Sequence, residues 1–340
     1  MKAVYIDSHG DLDVLKYGNV EDPQPNKNQV VVKIKAASIN HLDIWVRRGL
    51  PRTKTPFPLI LGSDASGEIV ESNHANYKIG DKVVVQPGTF DLNCSQVLSG
   101  NENYSASYGI LGETENGVQS DYVALNPINV YPKPEHLSFT ESASMQLVFM
   151  TAYQMLIKRA QILKGEKILI YGATSGVGSA AIQISKYFGL TVFTTVGDSS
   201  KYDYAIKMGA DYVYNHSSDE WVSNIKEVLK GQKINVVFEH VGFSTWDKSL
   251  KLLAKGGRIV TCGATTGANV EINLAHLFMK QQSILGSTMS SIESFKEVMS
   301  LIENKVFFPF VDKSYSFSDI KKAHRTIEDR NQFGKVVLVP

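Results

Sequence analysis

Gly172-Ala173-Thr174-Ser175-Gly176-Val177-Gly178 places three glycines in seven residues. A turn of this kind suits one chemistry above others, the binding of phosphate. Glycine lets backbone N–H groups approach a pyrophosphate with no Cβ in the way, and a helix that follows offers unpaired N–H groups and the positive end of its dipole. Ordinary turns also use glycine for its freedom at positive φ, so the flanks decide. Lys167-Ile168-Leu169-Ile170-Tyr171 is a short apolar run of the kind that forms a buried parallel strand. Ser179 to Phe188 carries small and apolar residues at helical spacing, Gly189 stops it, and Leu190 to Val196 is a second strand. Strand, glycine turn, helix and strand in this order predict a dinucleotide site, with Ala173, Thr174, Ser175, Gly176, Val177 and Gly178 around the pyrophosphate.

The surrounding elements must hold that turn, and they continue the alternation. Tyr202 to Met208 reads as a helix, Asp211 to Tyr214 as a strand and Trp221 to Leu229 as a helix. Ile234 to Phe238 is a strand, Trp246 to Leu253 a helix and Arg258 to Cys262 a strand. This pattern predicts an α/β fold with a doubly wound parallel sheet. The first third differs. Gln29 to Ala37, Ser66 to Glu71 and Lys82 to Gln86 are strand-like runs punctuated by glycine and proline. Asn93 to Gly117 is polar and weakly patterned, and predicts a long excursion loop. Ser138 to Lys158 reads as mostly helical, with Ser138 as cap and Glu141 three residues on.

Composition narrows the function classes. The chain has 340 residues, 43% of them apolar, enough for two domains of ordinary size. A formal net charge of +1 and no basic stripe argue against nucleic acid as the main partner. Two cysteines, Cys94 and Cys262, exclude a disulfide framework and suit a reducing cytoplasm. The N-terminus lacks a signal-peptide pattern, and no apolar run reaches the ~18 residues of a membrane helix, so a cytoplasmic protein is expected.

A series of ordered stations resembles the medium-chain dehydrogenase/reductase superfamily over the whole chain. They are Ala37-Ser38-Ile39-Asn40-His41-Leu42-Asp43, Leu61-Gly62-Ser63-Asp64-Ala65-Ser66-Gly67, Gly80-Asp81-Lys82-Val83, Thr151-Ala152-Tyr153, the glycine turn, Gly263 to Gly267, and Gly334-Lys335-Val336-Val337-Leu338. The likeness is greatest to the quinone oxidoreductase branch and its zinc-less alcohol-dehydrogenase-like neighbours. It implies a GroES-like β-rich catalytic domain over 1–126 and 288–340, and a Rossmann dinucleotide-binding domain over 127–287. Where zinc members of the superfamily carry a cysteine, a histidine, a nearby glutamate and a second cysteine, this chain has Asn40, Ser63, Asp64 and Leu147. That set cannot make the N/S site zinc prefers, so no metal is expected. Asp91, Cys94, Val97 and Ser105 fall on the four cysteine positions of the family's structural-zinc lobe, leaving one thiol.

The resemblance also implies roles. Asn40 matches an asparagine near the nicotinamide and substrate that could donate to a carbonyl oxygen, with a strand-end turn role as the alternative. His41 beside it offers a proton relay near neutral pH or a solvent-facing structural place. Asp43 and Asp64 match acids that more often form internal salt bridges than act in catalysis. Thr151 matches a position backing the nicotinamide ring. The family's acidic position, which hydrogen-bonds an adenosine ribose, falls on Val196 and is followed by Gly197, which leaves room for a 2′-phosphate. Ser199, Ser200 and Lys201 could receive it, with Asn215 and His216 nearby and Asp198 opposing. NADP(H) is expected, with NAD(H) open. Val241, Gly263, Ala264 and Lys335 complete the implied cofactor contacts, Lys335 near the pyrophosphate. The implied activity is NADPH-dependent hydride transfer to a quinone or other activated alkene or carbonyl without catalytic zinc. Two alternatives stand beside it: a zinc-independent alcohol or aldehyde oxidoreductase, and an NADPH-binding protein with little turnover. Ser283 to Ser287 matches the edge strand through which such proteins pair, implying a homodimer or homotetramer.

Overall fold

The computed structural model describes residues 1–51 and 53–340. Its contacts divide the chain into two units, Met1–Val148 with Ser291–Pro340, and Phe149–Ser290.

The first unit is built on a mostly antiparallel seven-stranded sheet. Its path runs Val130–Pro132, Lys82–Val85, Asp64–Ser72, Val30–Ile39, Lys335–Val339, Val311–Ser316, with Tyr122–Leu125 also paired to Val30–Ile39. Val30, Val32 and Ile34 alternate inward with Ile69, Val83, Val85, Val336 and Leu338 into one core. Register then brings distant residues together. Ser38 lies opposite Asp64, and Ile39 opposite Val336. Asn40, Asp64 and Lys335 therefore sit at one end of three neighbouring strands, although the last is 295 positions from the first.

The polypeptide enters the second unit at Phe149 rather than at 127, because the residues between belong structurally to the first. Val130–Pro132 extends the first unit's sheet against Lys82–Val85. The mostly helical stretch expected over 138–158 divides into Phe139–Ser142, Gln146–Tyr153 and a wide helical turn over Gln154–Arg159. Ser144 marks the break: its hydroxyl donates to the Glu141 carbonyl at 2.8 Å, a local bond that competes with the helical ladder. The polar excursion is also more ordered than a loop. It contains the short helix Ser95–Leu98, and buried Glu102 accepts from the Ile292 amide at the start of the helix Ile292–Glu303.

The second unit holds a six-stranded parallel sheet. Its order is Tyr212–Asn215, Thr191–Val196, Lys167–Ile170, Ile234–Glu239, Leu253–Thr261, Ser283–Gly286. Numbered along the chain, that is 3-2-1-4-5-6, the Rossmann order. The strands are apolar on both faces, as burial between helix layers requires: Ile168, Leu169, Ile170, Val236, Val237 and Phe238 are fully buried.

Candidate active site

In the first unit a buried polar cluster forms where the helix His41–Arg48 begins. Asn40 precedes the helix, and its backbone N–H donates to Asp43 Oδ2 at 2.7 Å while the Asp43 amide donates back to the Asn40 carbonyl at 3.1 Å. This exchange satisfies donors that a helix start leaves open. Asp43 Oδ1 accepts from the Gly62 amide at 3.0 Å and so ties the helix to the next station of the sequence. Asp64 is fully buried and accepts from four groups. The Leu147 amide reaches Oδ1 at 3.0 Å; Asn40 Nδ2 at 2.9 Å, Lys335 Nζ at 3.3 Å and Ser38 Oγ at 3.4 Å reach Oδ2. Lys335 Nζ also donates to Asn40 Oδ1 at 2.5 Å. Burial, strongest of several influences, pushes the Asp43 carboxyl up to about 7. The same burial lowers Lys335, against the pull of Asp64 and Asp43.

Lys335 is thus brought to Asn40 and Asp64 rather than standing apart from them. His41 is different: it is exposed and meets the Trp45 ring edge-on, centroids 5.4 Å apart. Thr151 lies on the helix Gln146–Tyr153, 6% exposed, and its Oγ1 has no hydrogen-bond partner among the described residues. The positions that the resemblance assigns to zinc ligands do not fit that ion. Ser63 Oγ donates to the Leu111 carbonyl at 2.9 Å, Leu147 offers hydrocarbon, and Asn40 Oδ1 faces an ammonium. Among the described residues no three His, Cys, Asp or Glu side chains gather as a metal site. In the excursion, Cys94 Sγ donates to Ser105 Oγ at 3.2 Å, so two of the four lobe positions meet through a hydrogen bond.

In the second unit the glycine turn is built as its spacing requires. Ser175 caps the helix Gly176–Tyr187, its Oγ accepting from the Gly178 amide at 3.0 Å. Gly172 has φ +65°, and the Ala173 amide donates to the Thr195 carbonyl, docking the turn on the neighbouring strand. A Cβ on Gly178 would lie 2.3 Å from the Gly172 carbonyl oxygen, so only glycine lets the helix come this close. Gly176 and Val177 open the helix, and by position their amides have no intrahelical partner. Beside the turn, two further loops leave the carboxyl ends of adjacent strands. The Thr266 amide donates to the Val241 carbonyl at 2.8 Å, binding the loop of Val241 to that of Gly263 and Ala264. A residue not foreseen from sequence organises this corner. Glu239, fully buried, accepts from the amides of Val241 and Gly242 and from the hydroxyls of Thr245 and Ser249. The available signal was a carboxylate at a strand end followed by glycine and a helix.

The second strand ends at an open corner. Val196 pairs with Asn215, which puts His216 beside Gly197; a Cβ built on Gly197 would lie 3.5 Å from His216 Nε2. Ser217 Oγ donates to the Gly197 carbonyl. Asp198 caps the short turn Ser199–Lys201, accepting from the Ser200 amide at 2.7 Å. Hydrogen bonding to Ser200 holds its carboxyl below the usual range.

These two sites sit on recognisable domains. Residues 26–135 match the alcohol dehydrogenase GroES-like domain, and 176–304 match the zinc-binding dehydrogenase domain. The chain is 30% identical to quinone oxidoreductase of Mus musculus, over 100% of this chain and 98% of the relative. A crystal structure of an NAD-dependent alcohol dehydrogenase superposes with TM-score 0.96 at 36% identity, covering both chains fully. The crotonyl-CoA carboxylase/reductase AntE in complex with NADP superposes with TM-score 0.91 at 25% identity, over 100% of this chain and 94% of the other. The likeness spans both units, and the chain belongs to the medium-chain dehydrogenase/reductase superfamily as an oxidoreductase.

Proposed function

We propose that the chain is an NADPH-dependent oxidoreductase that reduces a quinone or another activated alkene or carbonyl without catalytic zinc. The observation that carries this reading is the Lys335 ammonium bonded to Asn40 Oδ1, a cation where a zinc enzyme needs open donors. Bound NADPH supplies a hydride. The residues of the chain bind and orient the reactants. Thr174, Ser175, Gly176, Val177 and Gly178 line the helix start where a pyrophosphate suits the free amides and the dipole. The Thr151 hydroxyl, buried and without a hydrogen-bond partner among the described residues, fits an orphan donor awaiting a ligand group. Asn40 donates a hydrogen bond to the substrate carbonyl, and that suffices for a conjugated acceptor, whose oxygen takes up negative charge without needing a Lewis acid.

The preference for a 2′-phosphate draws on Gly197, Ser199, Lys201, Asn215 and His216, which gather at the strand end while Asp198 is turned to the Ser200 amide. The exposed side chains of Leu274, Phe278 and Met279, close in sequence to the edge strand Ser283–Gly286, support pairing of copies as a homodimer or homotetramer, which sedimentation measures. Two free thiols suit the cytoplasm. NADPH and NADH oxidation followed at the nicotinamide absorbance against 1,4-benzoquinone, an enone and an aldehyde, with and without chelator, tests the whole reading. Chelator-resistant turnover of quinone or enone, faster with NADPH, is expected. A second reading, a zinc-independent alcohol or aldehyde oxidoreductase, is favoured by exposed His41 beside Asn40. It requires aldehyde turnover that His41→Ala abolishes.

A further inference from the structure

An amide side chain can be turned end for end, exchanging its oxygen and nitrogen, and its neighbours decide which way it stands. Asn40 has neighbours that allow one answer. An ammonium only donates and a carboxylate only accepts, so Oδ1 turns to Lys335 at 2.5 Å and Nδ2 to Asp64 at 2.9 Å. Asn40 and Lys335 are each 5% exposed and Asp64 is fully buried, so water does not compete for these bonds. In such surroundings hydrogen bonds polarise one another along a chain. An ammonium on Oδ1 withdraws electron density from the amide and makes its N–H groups stronger donors. Nδ2 carries two of them, and Asp64 takes one.

We infer that Lys335 delivers its positive charge to the substrate through Asn40: with Asp64 it fixes and polarises the amide, whose second N–H holds the substrate carbonyl oxygen. The inference rests on the reductase reading above. Asn40 is the residue in contact with substrate; Lys335 and Asp64 position it. In the step itself the electrophilic carbon accepts a hydride with two electrons from the nicotinamide, which is oxidised. The conjugated π pair moves to the carbonyl oxygen, and that oxygen takes its proton from water. The amide gives up no proton. It stabilises the oxygen more in the transition state, where charge has built up, than in the bound substrate. A cation reaching the oxygen by way of an amide thus takes the electrostatic part that a metal plays elsewhere in the superfamily, while the ammonium itself stays out of contact with substrate.

The test uses the full chain, 1,4-benzoquinone and cyclohexenone as acceptors, and the variants Asn40→Ala, Lys335→Met, the two combined, and Asp64→Asn with Lys335→Met. Lys335→Met is expected to lower kcat about 10- to 100-fold, more for the less electrophilic enone than for the quinone. Its dissociation constant for NADPH, titrated by nicotinamide fluorescence, stays within about twofold. In the Asn40→Ala background Lys335→Met costs nothing further, because its route is already cut. If Lys335→Met alone fails to fold, the charge-balanced pair Asp64→Asn with Lys335→Met carries the same expectations. Weakened NADPH binding with kcat retained would put Lys335 on the pyrophosphate and overturn the inference. Additive losses in the double variant, or equal losses for both acceptors, would overturn it as well. Quinone turnover untouched by Asn40→Ala removes this inference and leaves the reductase reading standing; a wild type that turns over neither acceptor removes both.

Discussion

The polar cluster of the first unit and the glycine turn of the second reach fixed geometry by opposite means. The cluster is made of side chains that hold one another, Asn40, Asp64 and Lys335, with Asp43 beside them held by the amides of Asn40 and Gly62. The turn is made of missing side chains, and its precision comes from backbone packed against backbone at Gly172 and Gly178. Damage should therefore follow charge balance in one region and volume in the other.

The largest effect expected is on charge. Asp64→Leu leaves the Lys335 ammonium buried without its carboxylate and should destabilise the fold by about 3–5 kcal/mol in urea unfolding. Adding Lys335→Met to it should recover most of the loss; failure to recover would mean that volume, not charge, rules the cluster too. Acid–base behaviour sharpens the same point. Asp43, raised to about 7 from an ordinary 3.8, holds its proton more tightly when folded, so its contribution is full below pH 4 and is lost as pH rises through 7. His324, fully buried and pushed down to about 3 by burial and by Arg47, works the other way: its contribution is present above pH 6.5 and is lost as pH falls toward 3. Between pH 4 and 6.5 the two oppose each other. Asp43→Asn should unmask His324, so that stability rises with pH there by about 1 kcal/mol per unit in denaturation series. An unchanged slope would show that Asp43 does not hold a proton in the folded state.

Volume governs the other region. Gly178→Val drives a Cβ to 2.3 Å from the Gly172 carbonyl oxygen and to 2.8 Å from Ser175 Oγ. NADPH affinity should fall about 100-fold in fluorescence titration, a loss of about 2.7 kcal/mol. Smallest is the effect at the corner of Gly197 and His216 proposed for the 2′-phosphate, where His216→Ala should weaken NADPH about fivefold and leave NADH unchanged. Equal losses for both cofactors would remove that corner from the phosphate.

The difference between the two regions also explains what could be read in advance. The turn is local: strand, three glycines, cap and helix lie within about thirty consecutive residues, and each signals its own constraint. The alternating strands and helices of the second unit were legible for the same reason. The cluster is not local. Lys335 meets Asn40 only because its strand lies beside Val30–Ile39, and nothing within either segment encodes that adjacency. Resemblance assigned Lys335 to the cofactor; sheet register joins it to Asn40. Part of the signal was present, since Asn40 followed three residues later by Asp43 is a spacing that caps helices. The break at Ser144 lay below the resolution of periodicity, because one hydroxyl bonding back to Glu141 decides it.

The joining of Cys94 to Ser105 within the excursion has a consequence for how the chain comes into being. A lobe closed by four thiolates waits for a metal before it can settle, and unravels when the metal is stripped or the thiols oxidise. Here a thiol and a hydroxyl close the contact from atoms already in the chain, while Glu102 anchors the lobe to the helix Ile292–Glu303. On the proposed zinc-free reading this lobe folds without waiting for metal, and the yield of folded protein is expected to be the same from zinc-starved and zinc-replete cells.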